Sequence, residues 1–274
     1  MKHDLAADNH FAFGENWARY ASRVGEAQIV EAEAGLRRLL GGADLAGKRF
    51  LDIGCGSGIH SLAALRLGAA DVVSVDLDAD SVTTTRALLE RFASGKRFQV
   101  KQLGVHDLDA AGMGRFEVVY SWGVLHHTGD MRGALKKAAE MVADRGLFVF
   151  ALYRRSWLCP LWRIEKKWYS AAKDSQQRLA LKTYVFFFRL GLWATGRSLE
   201  RYVEDYKMRR GMDYFHDVHD WLGGYPYESI LPEEVEALMT ETGFSRVRSF
   251  PVSRWRKPVK LFGSGCDEYA YRRA

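Results

Sequence analysis

The feature that most constrains the fold of this chain is a glycine-rich turn that follows a short apolar strand. The run FLDIGCGSG, Phe50–Gly58, places glycine at positions 54, 56 and 58. Glycine adopts backbone angles that side chains resist, and it lets a ligand approach the main chain closely. Apolar positions at helical spacing then predict a helix directly after the turn. A strand, a glycine turn and a helix in this order are typical of nucleotide-binding α/β folds.

Two acidic residues accompany the turn. Asp52 stands two residues before the first glycine, and Asp76 ends the next predicted strand, 18 residues after Gly58. A carboxylate at Asp52 suits a ligand with a positive amino group, and one at Asp76 can accept hydrogen bonds from both ribose hydroxyls. The third glycine falls one residue early for the dinucleotide pattern G-x-G-x-x-G. We therefore prefer a ligand with a ribose and an amino group to a dinucleotide, or to a plain turn capped by acids.

Apolar strands and helices alternate along most of the chain. Strands are predicted at Arg49–Ile53, Asp71–Asp76, Phe98–Leu103, Phe116–Trp122 and Gly146–Tyr153, followed by an antiparallel pair at Phe244–Val252 and Glu268–Arg272. Helices are predicted at about Trp17–Leu40, His60–Leu67, Ser81–Phe92, Met131–Val142 and Pro232–Thr242. This alternation predicts an α/β fold: a Rossmann-like, doubly wound and mostly parallel sheet, with an antiparallel last strand and a helical insertion.

Four motifs carry a family resemblance. LDIGCGSG, VVSVDLD, FEVVYSWGVLHHTGD and GLFVFALY occur in this order between about residues 47 and 153. Together they resemble the class I S-adenosylmethionine (SAM) dependent methyltransferases, and among these the small-molecule group that includes the ubiquinone-pathway O-methyltransferases. The resemblance implies SAM as cofactor and S-adenosylhomocysteine as its product. FAFGENW at 11–17 and HDVHDWLGGYPYE at 216–228 resemble a narrower subgroup of bacterial methyltransferases, largely of unassigned substrate.

The resemblance also implies which residues bind the cofactor. Asp52 and Gly54 are expected near the methionine part, Asp76 on the ribose and Leu77 against the adenine. Residues 104–106 are expected at the adenine edge, and residues 121–123 on the methionine side. The complete expected set is Trp17, Asp52, Gly54, Cys55, Gly56, Gly58, Asp76, Leu77, Val105, His106, Ser121, Trp122 and Gly123.

Two histidines follow the fourth predicted strand. His126 and His127 lie at the strand end where ligands gather in parallel sheets. Histidine titrates near neutral pH, so either could act as the general base that removes a proton from a methyl acceptor. The alternative is a structural pair that caps the following turn with Thr128 and Asp130. We give His127 a small preference over His126 as the base.

A second polar cluster lies in the run His216–Glu228. If this run is helical, His216 and His219 share a face. We expect them to serve as catalytic residues, with Asp220, Tyr225 and Tyr227 binding the acceptor. Ordinary helix-end contacts and a tight connection before the next helix are the alternatives. A metal site is not expected, because HxxH lacks an obvious third ligand.

The chain divides into three parts. Residues 1–46 are expected to form an N-terminal helical flap, in which Phe11, Phe13 and Trp17 either cover SAM or dock a helix on the core. Residues 47–153 and 229–274 are expected to form the SAM-binding domain. Residues 154–228 are expected to form a helical lid over the acceptor.

The lid region is basic and aromatic. Residues 151–210 hold 14 Lys and Arg against 5 Asp and Glu, and 12 of the 35 aromatic residues. This surface could hold RNA, lie on an anionic membrane, or roof the acceptor pocket while its cations stay solvated or meet a partner subunit. We prefer the roof. The expected partner is a small-molecule acceptor; RNA, a membrane surface and a second copy are alternatives, and DNA is not expected.

Cysteine usage and apolar segments bear on the compartment. The three cysteines, Cys55, Cys159 and Cys266, lie far apart and suggest neither a disulfide framework nor a zinc knuckle. The start of the chain lacks the apolar core of a signal peptide. The most apolar run, Tyr184–Trp193, is too short to span a bilayer. A cytoplasmic enzyme is therefore expected.

Three functions compete at this point. The preferred one is methylation of a small molecule by in-line displacement, at oxygen or alternatively at nitrogen, with a histidine as base. The second is RNA methylation that uses the basic insertion. The third is a non-catalytic subunit that binds SAM, which the intact Asp52, Asp76 and glycine turn disfavour.

Overall fold

A computed structural model describes residues 14–210, 214–252 and 265–274. Phe11 and Phe13 lie outside the described residues. The helices of the described part are α1 (Gly14–Ala21), α2 (Glu26–Leu40), α3 (Ile59–Arg66), α4 (Ala79–Phe92), α5 (Ala110–Met113), α6 (Met131–Glu140), α7 (Cys159–Ala171), α8 (Asp174–Trp193), α9 (Leu199–Arg210), α10 (Tyr214–Gly223) and α11 (Pro232–Glu241). Its strands are β1 (Arg49–Ile53), β2 (Asp71–Asp76), β3 (Phe98–Gln102), β4 (Phe116–Trp122), β5 (Val142–Tyr153), β6 (Phe244–Phe250) and β7 (Cys266–Arg273).

The strands form one sheet in the order β3-β2-β1-β4-β5-β7-β6. The five strands β3, β2, β1, β4 and β5 pair in parallel, in that order across the sheet. Strand β7 runs antiparallel to both of its neighbours, β5 and β6. The central strands are almost continuously apolar because both of their faces are buried, as a parallel sheet between helices requires. The predicted fold class, including the antiparallel last strand, is confirmed.

Helices cover the sheet on both faces. Leu135 of α6 and Leu238 of α11 belong to the buried core on one face. Leu36 of α2, Leu62 of α3 and Leu89 of α4 belong to the core on the other. This layering leaves the carboxyl ends of the parallel strands as the edge where a ligand can bind.

The prediction of one helix from about Trp17 to Leu40 is wrong. The chain forms α1 and α2 instead, separated by a turn at residues 22–25. Gly25 has an extended backbone with φ −128°, and its N–H donates to Oε1 of Gln28 at 3.0 Å. That contact starts a new helix, while Val24 is buried in the core at the break. Apolar spacing alone did not reveal the break because it continues across the turn.

The insertion consists of α7 to α10 and lies between β5 and α11. It has its own apolar cluster, whose buried members are Tyr169, Phe188, Leu192, Leu199, Tyr214, Val218 and Leu222. The two ends of the insertion meet at the end of β5: the Ile230 N–H donates to the Tyr153 carbonyl at 3.0 Å, and the Arg155 N–H donates to the Ile230 carbonyl at 2.9 Å. The insertion is therefore anchored at the ligand-binding edge of the sheet.

Candidate active site

The glycine turn between β1 and α3 is held against β2. The N–H groups of Gly54 and Cys55 donate to the Val75 carbonyl at 2.8 and 3.1 Å. The φ angles of Gly54, Gly56 and Gly58 are 73°, 53° and 79°, all in the left-handed region that favours glycine. The turn thus adopts a conformation that residues other than glycine resist.

Close neighbours also require glycine in this turn. A Cβ at position 54 would stand 2.4 Å from Cγ2 of Val124, and a Cβ at position 56 would stand 3.0 Å from the indole of Trp17. Trp17, on α1, therefore lies directly against the turn. The Cys55 thiol is buried and accepts a hydrogen bond from the Thr85 hydroxyl at 3.3 Å. Burial raises the pKa of this thiol, so Cys55 contributes shape rather than reactivity.

Two carboxylates brace the same turn. Asp52 is buried and its Oδ2 accepts from the Ser61 hydroxyl at 2.6 Å. The Oδ2 of Asp76 accepts from the Gly56 N–H at 2.9 Å, and its Oδ1 accepts from the Asp78 N–H at 3.0 Å. Burial raises the pKa of Asp52 to about 7 and also raises the pKa of Asp76. A positively charged ligand would favour the ionised form of both acids.

The ends of β2 and β3 form the adjacent edge of the site. Leu77 is 60% exposed, and a Cβ at Gly104 would stand 3.6 Å from its Cδ1. The His106 side chain is exposed, whereas the Val105 side chain is buried in the core. Leu77 and His106 are thus accessible to a ligand, while the Val105 side chain packs inward.

The end of β4 carries the residues expected on the methionine side. The buried Ser121 hydroxyl donates to the Ile53 carbonyl at 3.0 Å and so ties β4 to β1 beside the turn. The indole Nε1 of Trp122 donates to Oε1 of Glu268 at 2.9 Å, which orients this ring toward β7. Gly123 has φ 77°, and apart from its chain neighbours no atom of the described residues lies within 4 Å of where its Cβ would be.

The turn after β4 that carries His126 and His127, the histidine turn, is contacted by the loop that follows α10. Nδ1 of His127 lies 2.7 Å from the Pro226 carbonyl oxygen, to which it donates. The N–H of Glu228 donates to the His126 carbonyl at 2.9 Å, and Oε2 of Glu228 accepts from the Met131 N–H at 2.8 Å. The structure therefore joins two polar clusters that are far apart in the sequence.

The two histidines differ in chemical capacity. His126 is fully buried, and neither of its ring nitrogens has a hydrogen-bond partner among the described residues. Burial, His127 and Lys166 hold the pKa of His126 well below its usual range, so it is a weak base. A carbonyl oxygen only accepts, so the contact with Pro226 places the proton of neutral His127 on Nδ1 and the lone pair on Nε2. His127 is thus the better candidate for a base.

Helix α10 carries the second predicted pair of catalytic histidines. Nδ1 of His219 lies 2.6 Å from the Tyr169 hydroxyl on α7, so His219 links two helices of the insertion. Asp220 is half-buried, and its carbonyl oxygen lies 3.4 Å from where a Gly224 Cβ would be. The His216 side chain lies outside the described residues. Among the side chains that the structure does describe, no three His, Cys, Asp or Glu residues are grouped as metal ligands.

The predicted tyrosines occupy different depths. Tyr227 is buried; its hydroxyl donates to Sγ of Cys159 at 3.3 Å, and its ring centroid lies 5.2 Å from that of Tyr153. Tyr225 is half-buried and precedes Pro226 through a cis peptide bond. Tyr227 therefore belongs to the wall behind the histidine turn, whereas Tyr225 has surface left for a ligand.

Sequence reasoning missed two residues beside this turn. The Tyr153 ring lies 3.9 Å from the His126 ring, and its position at the end of a parallel strand could have identified it. Lys166 is fully buried; its amine donates to the Trp221 carbonyl and stands 3.7 Å from the Trp221 ring centroid. Nothing local distinguishes Lys166 from its exposed basic neighbours, so only the packing of α7 reveals it.

Comparison with known proteins decides the family. A family model for a methyltransferase domain matches residues 25–207. This range includes the glycine turn, the two carboxylates Asp52 and Asp76, and the histidine turn. The chain belongs to the class I SAM-dependent methyltransferases. Membership in this family accounts for a glycine turn at the carboxyl edge of the sheet.

Relatives of this methyltransferase act on different acceptors. It is 33% identical over 163 residues to a tRNA U34 carboxymethyltransferase of Methylococcus capsulatus, covering 52% of this chain and 50% of the relative. It is 33% identical over 118 residues to a ubiquinone biosynthesis O-methyltransferase of Neisseria meningitidis, covering 42% of this chain and 48% of the relative. The methyltransferase thus spans about half the length of these curated relatives. The crystal structure of a Synechocystis magnesium protoporphyrin IX methyltransferase with bound SAH shares the fold, with TM-score 0.54, 14% identity, and coverage of 98% and 91% of the two chains.

The raised pKa of Asp52 predicts pH-dependent SAM binding. Asp52 becomes ionised as the pH rises through about 7, and the cationic ligand binds better to the ionised form. We expect SAM affinity, measured by calorimetry, to fall up to about tenfold between about pH 8 and pH 6. Asp52→Asn keeps an acceptor for Ser61 and leaves the titration of the ligand's own amino group in place. The same pH dependence in this variant as in the wild type would contradict the prediction.

Proposed function

We propose that this methyltransferase transfers the methyl group of SAM to a small-molecule acceptor, at oxygen or at nitrogen, with His127 as general base. The observation that carries the proposal is the hydrogen bond from His127 Nδ1 to the Pro226 carbonyl at 2.7 Å. When bound, SAM supplies a methyl group on a positively charged sulfur, with neutral S-adenosylhomocysteine as the product. The protein's own residues then have to position the acceptor and remove its proton.

His127 is suited to hold that proton. Its Nδ1 carries a proton that it donates to the Pro226 carbonyl. The lone pair on Nε2 is therefore the group that takes the O–H or N–H proton of the acceptor. After the transfer the imidazole carries a positive charge, and the Pro226 carbonyl stabilises that charge through the same hydrogen bond. The arrangement orients the ring before the reaction starts, so little reorganisation is needed during methyl transfer.

The surroundings of the histidine turn favour an acceptor with an aromatic or apolar body. Tyr153 supplies an aromatic ring beside both histidines, Tyr227 packs against Tyr153, and the half-buried Tyr225 retains accessible surface in the adjoining loop. The insertion 154–228 is anchored at this edge of the sheet, so we assign it the role of a lid. A lid would exclude water and hold the acceptor in line with the methyl group, which can supply much of the rate.

An acceptor screen tests the proposal. Isotope-labelled SAM is incubated with phenols, catechols, amines and carboxylic acids, and labelled products are identified by mass spectrometry. We expect one acceptor class to be methylated, and the incorporated label to fall sharply when Gly54→Val weakens cofactor binding. If calorimetry shows SAM binding but no acceptor class gains the label, the chain acts as a non-catalytic SAM-binding subunit and the proposal fails.

RNA is the second candidate acceptor. The similarity to a tRNA carboxymethyltransferase and the excess of Lys and Arg in residues 151–210 favour it. RNA binding through phosphate contacts weakens steeply as salt rises, because binding releases counterions. Total tRNA added to the same screen distinguishes the two acceptors: labelled tRNA, together with binding that salt abolishes, would replace the small-molecule assignment.

A further inference from the structure

The outer face of α7 is apolar and exposed. Leu161, Ile164 and Trp168 recur at helical spacing and are 60%, 69% and 49% exposed. Trp157, just before the helix, is 82% exposed. The opposite face packs inward through residues such as Tyr169, which is fully buried. The outer face of α7 therefore presents large apolar side chains to solvent.

Helix α8 repeats this arrangement. Its inner face packs into the apolar cluster of the insertion. Its outer face carries four large, exposed apolar side chains at helical spacing: Leu179, Phe186, Leu190 and Trp193. Single exposed apolar side chains are ordinary, but two adjacent helices that each expose such a face indicate an interaction surface.

A row of cations runs beside the apolar face of α8. Arg178, Lys182 and Arg189 are exposed and recur at spacings of four and seven, which keeps them on one side of the helix. Arg189 also lies 3.6 Å from the exposed Glu200, a contact that solvent screens. An apolar face bordered by Lys and Arg, with Trp and Phe among its members, is typical of helices that lie in the interface of an anionic membrane.

We propose that the outer faces of α7 and α8 dock on the surface of an anionic membrane. Within the described ranges, no helix combines the length and hydropathy that crossing a bilayer demands, so the contact is superficial. A second copy of this chain is the alternative occupant of these faces, and the experiment below distinguishes it from a membrane. The proposal does not depend on which acceptor is methylated.

Vesicle sedimentation with the full chain tests the proposal. One set of vesicles contains phosphatidylcholine alone, and the other contains phosphatidylcholine mixed with phosphatidylglycerol. We expect the protein to sediment with the mixed vesicles at low salt and to stay in solution with the neutral ones. Binding should weaken as salt rises, because screening shortens the reach of the surface potential.

Two variants separate the apolar and the electrostatic contributions. Each cation near an anionic surface contributes about fivefold to partitioning, so Arg178→Ala with Lys182→Ala and Arg189→Ala should weaken binding on the order of a hundredfold. Phe186→Ser with Trp193→Ser should weaken it by at least about tenfold. Val30→Ser, at an exposed apolar position on α2, is the matched control and should leave binding unchanged. Thermal unfolding by circular dichroism confirms that the variants are folded.

Three results would overturn the proposal. The first is a wild-type protein that ignores mixed vesicles. The second is a folded triple variant that still sediments as the wild type does. The third is a dimer, seen by sedimentation velocity without lipid, that Phe186→Ser with Trp193→Ser dissociates; this would assign the outer faces to a second copy of the chain.

Discussion

Gly54→Val is expected to reduce SAM affinity by at least about a hundredfold, which corresponds to about 2.7 kcal/mol. Position 54 has φ 73°, which valine resists, and its Cβ would stand 2.4 Å from the Val124 side chain. The turn must therefore move away from Val124, which displaces the N–H contacts with Val75 and the surface that meets the ligand. Isothermal titration calorimetry measures the effect directly.

Gly95→Val is the matched control for this experiment. Gly95 lies between α4 and β3 and has φ 81°, and in the described part of the chain only its sequence neighbours come within 4 Å of where a Cβ would stand. Gly95→Val therefore introduces a comparable backbone strain without a collision, at a position far from the glycine turn. We expect a loss of stability in thermal unfolding but SAM affinity close to that of the wild type. Equal SAM affinities in both variants would refute the assignment of the turn.

His127→Ala should lower turnover by about a hundredfold to ten-thousandfold while SAM affinity stays nearly unchanged. In the proposed mechanism the imidazole receives the acceptor proton, and its recorded hydrogen bond is to the Pro226 carbonyl rather than to the glycine turn. Turnover is measured with the acceptor found in the screen, and SAM affinity by calorimetry. Loss of rate without loss of cofactor binding separates a chemical role from a structural one.

The pH profile sharpens this prediction. A protonated imidazole cannot accept a proton, so wild-type turnover should fall toward acid pH, and this acid limb should be absent from the residual rate of His127→Ala. His219→Ala serves for comparison, because His219 contacts Tyr169 within the insertion. We expect it to change turnover less and to keep the acid limb. A His127→Ala enzyme that retains both its rate and its acid limb would exclude His127 as the base.

The proximity of the residues expected to bind the cofactor could be predicted because its determinants are local. Asp52 and Gly54 belong to one unbroken strand and turn, and Asp76 ends the neighbouring strand, so their proximity follows from parallel topology. The glycine spacing also determines where side chains are excluded. Trp17 could be placed only in general, as part of a flap, because its contact with Gly56 depends on how α1 packs.

The acceptor side depends on contacts between distant segments. No feature of the sequence near His127 predicts its contact with Pro226, whose carbonyl orients the ring. The same pattern of apolar spacing predicts a helical insertion correctly yet does not say which aromatics face inward. Trp168 and Tyr169 are adjacent, and one is half exposed whereas the other is fully buried. Such differences arise from the packing of α7 against its neighbours, which single-sequence patterns do not contain.

The paired ends of the insertion have a consequence for how such enzymes diversify. Residues 154 and 230 form a parallel bridge at the end of β5, so the segment between them leaves the sheet and returns to it at one place. The closure of that loop costs nearly the same free energy whatever the length of the segment, since the cost grows only slowly with length. A different set of helices could be exchanged at this junction while the sheet and the glycine turn stay intact. The part of the chain that binds the methyl donor and the part that binds the acceptor can thus evolve under separate constraints.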